Sequence, residues 1–138
     1  MAEEAKAGRK EAEAADLPPV PWLLVGLSWA LPGVGHLVLG RKVRAAVFAA
    51  VILASFATGI ALDGELVLPR PAEPFSWLAF LACLGNGLLF LVGRVTGLGT
   101  GDPSAAGFNY GNTFLITAGL MNLLTVLDVS DISRGAKE

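Results

Sequence analysis

Charge is absent from four long stretches of this chain, and that pattern limits what it can fold into more than any other feature. No Asp, Glu, Lys or Arg occurs in the 24 residues between Asp16 and Arg41, the 18 between Arg44 and Asp63, the 20 between Glu73 and Arg94, or the 25 between Asp102 and Asp128. These windows hold 87 of the 138 residues. A helix needs about 20 apolar residues to cross roughly 30 Å of hydrocarbon, and a bilayer core offers exposed backbone no hydrogen-bonding partner. The windows therefore predict an all-α integral membrane bundle of about four segments, near 21–40, 44–62, 75–94 and 110–128. A water-soluble bundle needs one polar face per helix, and Ala45-Ala-Val-Phe-Ala-Ala-Val-Ile-Leu-Ala54 has none. The expected organisation is a polar, flexible or frayed-helical tail over 1–20, one membrane domain over 21–128 and a short polar tail over 129–138.

The N-terminus lacks the basic start and small-residue cleavage site of a secretory signal, so the first segment is expected to be retained. That segment is interrupted. Pro32 removes a backbone donor in its middle, and Gly33 and Gly35 follow, which predicts either a kinked span or two half-helices. Gly40 and Arg41 then open a tight basic turn with Lys42 and Arg44. In the second segment Ala46, Ala50, Ala54 and Thr58 recur every four residues, a small-residue face suited to close packing of another helix. Residues 63–75 read as an acidic, proline-rich loop, and 96–104 as a glycine-rich turn. Gly85-Asn86-Gly87 sits near the centre of the third segment.

Orientation is balanced on this four-pass reading. Termini inside gives six cations on that side (Lys6, Arg9, Lys10, Arg70, Arg134, Lys137) against four (Arg41, Lys42, Arg44, Arg94). Weighting residues close to helix ends favours the tight Arg41–Arg44 turn in the cytoplasm and the termini outside. A re-entrant first segment overturns either count.

Two motifs carry a resemblance. Trp29-Ala-Leu-Pro-Gly-Val-Gly-His-Leu-Val-Leu-Gly-Arg-Lys-Val-Arg-Ala45 resembles the Pro-Gly-x-Gly-His…Gly-Arg hairpin of an uncharacterised bacterial membrane-protein family, a domain of unknown function. Tyr110-Gly-Asn-Thr…Ala118-Gly-Leu-Met-Asn-Leu-Leu-Thr-Val-Leu-Asp128 is similar to that family's terminal segment. More loosely, the first hairpin resembles the two-helix transmembrane module with a glycine-rich first helix. The resemblance implies a polytopic protein, placed by the apolar windows in the bacterial inner membrane, and carries over no catalytic residue.

His36 is the one histidine, beside a broken helix, and is the sharpest candidate for a ligand contact, a pH response or cofactor ligation. The plainer expectation is a hydrogen bond to backbone freed at Pro32 or to an asparagine of the fourth segment. Asp63, Cys83 and Asp128 have no metal-ligand spacing around it, so no metal and no cofactor is expected. Asn86, Asn109, Asn112 and Asn122 are expected to join helices through hydrogen bonds, with a polar pocket of Asn86, Asn122 and His36 as the alternative. Asp128 and Arg94 are expected to face the membrane interface separately. A Ser28–His36 dyad lacks an orienting group, and neither Gly33-Val-Gly35 nor Gly97–Gly101 has the context of a phosphate loop. A net charge of −2 argues against nucleic acid, and a lone cysteine against a disulfide framework. No carboxylate lies inside the windows, which disfavours ion-coupled transport. The expected function is therefore non-catalytic: a structural, assembly or accessory subunit that associates with itself or with other membrane subunits. The alternative is a small pore or a lipid- or pigment-binding protein.

Overall fold

The computed structural model describes residues 1–15 and 18–137. Among them are seven helices and no named strand: α1 (Ala2–Ala15), α2 (Trp22–Ala30), α3 (Val34–Val38), α4 (Lys42–Ala61), α5 (Pro74–Leu84), α6 (Leu88–Thr96) and α7 (Phe108–Ser133). The N-terminal tail thus contains a helix, and the fourth segment runs further in both directions than its charge-free core suggested. The charge at Asp128 does not end α7, because that side chain finds partners inside the protein.

Two helices, α4 and α7, are long and apolar enough to cross a membrane. They form the axis of the molecule. Ala45, Ile52 and Gly59 of α4 repeat every seven residues and are buried, facing a stripe of α7 that includes Gly111, Leu115, Ala118, Asn122, Thr125 and Val129. The two run antiparallel. At one end Gly59 and Gly64 meet Gly111 backbone to backbone: a Cβ on Gly111 would stand 2.7 Å from the Gly64 nitrogen. At the other end Arg44 lies across from Asp128. The first may be called the loop end and the second the basic end.

The other two apolar windows are not continuous spans. The first is divided as Pro32 predicts: α2 stops at Ala30, Gly33 takes a left-handed φ of +83°, and α3 begins at Val34. The third was expected as one helix over 75–94, but it breaks at Gly85-Asn86-Gly87, and α5 and α6 meet at a bend of 110°. The cause is local. Gly87 adopts φ +63°, a conformation that ends an α-helix and that glycine reaches without steric cost.

Each broken segment turns back toward the end it came from. Arg134, just beyond α7 at the basic end, donates from Nε to the Pro18 carbonyl at 2.9 Å, so the chain enters α2 there. It returns there as well, since His36 of α3 reaches Asp128. The second break mirrors this at the loop end. The Leu66 amide donates to the Gly99 carbonyl just past α6, while Arg70 joins Glu65 at 2.6 Å and its amide donates to Ser76 Oγ in the first turn of α5. At nine residues, α2 is about 13 Å long, under half of a hydrocarbon core. The two tips meet near the middle of the bundle. A small core of Leu66, Val67, Cys83, Phe90 and Leu115 fills the loop-end half.

Candidate functional site

Breaking a helix releases carbonyls that a low-dielectric interior cannot leave unpaired. Asn122 settles two of those released where the tips meet, and Trp29 and Asn86 add contacts across the junction. Asn122, fully buried on α7, donates through Nδ2 to the Trp29 carbonyl at 2.9 Å and to the Gly85 carbonyl at 2.8 Å, one from each break. Trp29 donates from Nε1 to the Leu84 carbonyl at 3.0 Å. Asn86 donates to the Cys83 and Leu115 carbonyls, both at 3.0 Å. The backbones touch so closely that a Cβ on Gly87 would stand 1.9 Å from the Trp29 oxygen. Asn86 and Asn122 therefore share the junction, with their amide protons committed to backbone. Asn86 Oδ1 is buried there without a partner among the described residues.

His36 lies nearer the basic end. Its ring is fully buried, with the Phe48 ring 5.1 Å from it. Nε2 stands 2.9 Å from Asp128 Oδ2, and the Lys137 ammonium holds the other carboxylate oxygen. The expected partner, freed backbone or an asparagine, gives way to a carboxylate 92 positions away. Asp128 is not a free charge at the surface: its side chain is 17% exposed, and contacts with His36 and Lys137 offset the cost of covering it. With the hydrogen on Nε2, His36 donates to the carboxylate and ties α3 to α7. His36 Nδ1 is buried and has no partner among the described residues. Ser28 does not join this pair; its hydroxyl donates to the Leu24 carbonyl at 2.7 Å, so no serine–histidine dyad forms.

The remaining expected residues are dispersed. Pro32 and Gly33 pack against Ala45 and Ala49 of α4, and Gly35 packs against Ser28 and Val129. Gly40 and Arg41 form the turn into α4. Asn112 accepts from the Glu65 amide at 2.6 Å and pins the loop, whereas the Asn109 side chain is exposed. Arg94 reaches the Gly99 carbonyl at the loop end, far from Asp128. Ala46, Ala50 and Ala54 are exposed, on the side of α4 away from the Ala45, Ile52 and Gly59 stripe that closes the bundle. Among the described residues no group of three His, Cys, Asp or Glu side chains is placed to hold a metal ion.

Sequence reasoning missed Lys137 and the Trp29 indole. A tryptophan one turn before a proline-broken helix end is the signal that pointed to the second, since an indole N–H in an apolar interior needs an acceptor. Nothing in the spacing announced the first.

A family model described as a family of unknown function (DUF6677) matches residues 23–138, and the chain belongs to that family. No curated protein and no solved structure matches it.

Proposed function

We propose that this family member is a multi-pass protein of the bacterial inner membrane, with no catalytic role, that serves as an accessory or assembly subunit by packing α4 against another transmembrane helix. One observation carries this reading: Ala46, Ala50 and Ala54 form an exposed small-residue face on α4, while the opposite side of the same helix closes the bundle. In lipid, close approach of backbones drives helix association, and small residues permit it. Of the four apolar segments, α4 and α7 cross the bilayer. The two broken ones are re-entrant, entering from opposite sides and meeting at mid-depth. Irregular backbone at that depth is tolerated only when buried in protein, and the carbonyl contacts of Asn122, Trp29 and Asn86 supply that burial.

Re-entrance also decides orientation. Eight of the ten cations (Lys6, Arg9, Lys10, Arg41, Lys42, Arg44, Arg134, Lys137) then share one side, against Arg70 and Arg94. The positive-inside rule puts that side in the cytoplasm, which reverses the orientation drawn from four complete spans. The test is gentle solubilisation from the native membrane with native mass measurement. An assembly heavier than the 14.3 kDa chain that dissociates on Ala50→Leu is expected. A lone chain, unaffected by Ala50→Leu, overturns the reading.

A second reading rests on the junction itself. Interrupted helices in corresponding positions of two halves are where transporters place substrate sites, and the unpaired Asn86 Oδ1 lies at this one. A small pore formed there requires solute flux in proteoliposomes that Asn86→Leu abolishes. The absence of flux for small polar solutes refutes it.

A further inference from the structure

Between α4 and α7 a groove of about 560 Å³ opens to the outside of the bundle. Its two ends differ in kind. Arg44, Asp128 and Lys137 stand at the basic end, while Phe48, Val51 and Leu124 line it further in. From Arg44 to Val51 is seven helical residues, about 10 Å along the bilayer normal. The groove is thus polar at the level of the headgroups and apolar below it, and both exposed apolar walls, Val51 and Leu124, are 46% and 65% exposed.

We propose that this groove holds one acidic phospholipid, its phosphodiester set against Arg44 and Lys137 and one acyl chain laid along Phe48, Val51 and Leu124. The charge balance at the mouth selects the headgroup. Asp128 is the one carboxylate in the lining, and His36 and Lys137 already share it. Arg44 makes no ion pair among the described residues, nor do Arg41 and Lys42 in the adjoining turn. The mouth therefore presents net positive charge at the leaflet surface, where each nearby cation adds attraction for anionic lipid. A partner helix suits the groove less well. Its walls are bulky branched and aromatic side chains, whereas the small residues that let a helix approach closely, Ala46, Ala50 and Ala54, lie on another side of α4. That the lipid belongs to the cytoplasmic leaflet rests on the orientation proposed above; the site itself does not.

The test is native mass spectrometry of the full chain in mild detergent, titrated with phosphatidylglycerol or phosphatidylethanolamine. The wild-type protein is expected to retain a single phosphatidylglycerol about fivefold better than phosphatidylethanolamine, as Arg44, the lining cation with no carboxylate partner among the described residues, implies. Arg44→Gln is expected to cut that preference several-fold while still retaining lipid. Leu124→Trp, at an exposed position that tolerates the larger ring, is expected to fill the groove and abolish retention of both lipids. Equal retention of the two lipids by the wild type overturns the proposal. So does a preference that survives both substitutions, or a second copy of the chain displaced by Leu124→Trp. Accessibility labelling of the termini keeps the two ideas separable. Lipid preference with termini outside refutes the orientation and leaves the site standing, and loss of preference with termini inside does the reverse.

Discussion

Replacing Asn122 with leucine should damage this protein more than any other single change that preserves side-chain branching and heavy-atom number. The side chain is fully buried, and its amide satisfies two carbonyls that no helix can serve, one at each break. Leucine keeps the branching and the number of heavy atoms and supplies no donor, so cavity formation contributes little. A hydrogen bond between membrane helices is worth about 0.6–2 kcal/mol, and a buried carbonyl left unpaired costs about 1–3 kcal/mol. Both bonds have ordinary length, the one to Gly85 buried and the one to Trp29 partly so, and the loss should be about 2–4 kcal/mol in total. Reversible unfolding in mixed micelles of increasing denaturing-detergent fraction reads this directly. Trp29→Phe, which removes the indole bond to Leu84, should cost about 1 kcal/mol alone. Combined with Asn122→Leu it should cost less than the sum, because both contacts close one junction and the second loss finds it already loosened. A cost below about 0.5 kcal/mol for Asn122→Leu, within the range of ordinary surface changes, would falsify the claim that this residue joins the two breaks.

Gly87→Ala should prevent correct assembly or lower the melting temperature sharply, since φ is +63° and the new methyl would collide with the Trp29 carbonyl; Gly26→Ala, with open space around it, should be neutral or slightly stabilising, and equal effects would contradict the tip contact. A double-mutant cycle on His36→Ala and Asp128→Asn should give a coupling of about 1–2 kcal/mol, as for a hydrogen bond to a charged group; a coupling near zero would mean the pair is not formed. Ser104 donates through its hydroxyl and its amide to Asp102, and these bonds, the hydroxyl foremost, hold that carboxyl below the usual range. Their stabilising effect is present above the ordinary carboxylate range and is lost as pH falls through the lowered value. Ser104→Ala should therefore shift the Asp102 titration upward in carbon-detected NMR, and an unmoved titration would refute the assignment.

Much of the architecture was legible because charge and proline act locally. The four windows located every apolar helix, and Pro32 marked the first break to within a residue, since a missing donor acts on the turn that contains it. The break at Gly85-Asn86-Gly87 was less visible. Glycines are common in membrane helices as packing residues, and only the left-handed turn at Gly87, fixed by tertiary contact with Trp29, shows that these serve a bend. The small-residue ladder of α4 was readable from spacing, but not which side would be left exposed; that depended on α7 docking on the Ala45, Ile52 and Gly59 stripe. The His36–Asp128 pair was out of reach. Two residues 92 positions apart meet only once α3 has folded back beside α7, and no periodicity encodes that return. Charge counting depends on the same return, because the count changes sides according to whether each broken segment crosses or turns back.

The most direct test of the account is the sidedness of the connecting segments. Single cysteines at Ala7, Arg41, Ala72, Ser104 and Ala136, in a Cys83→Ser background, can be labelled with a membrane-impermeant thiol reagent in intact cells and in inverted vesicles. Two crossings with two re-entrant segments predict that positions 7, 41 and 136 react only in inverted vesicles, and that 72 and 104 react only in intact cells. Four complete crossings place 7 and 41 on opposite sides, and likewise 72 and 104. Labelling in that alternating pattern would contradict the re-entrant architecture and the orientation drawn from it.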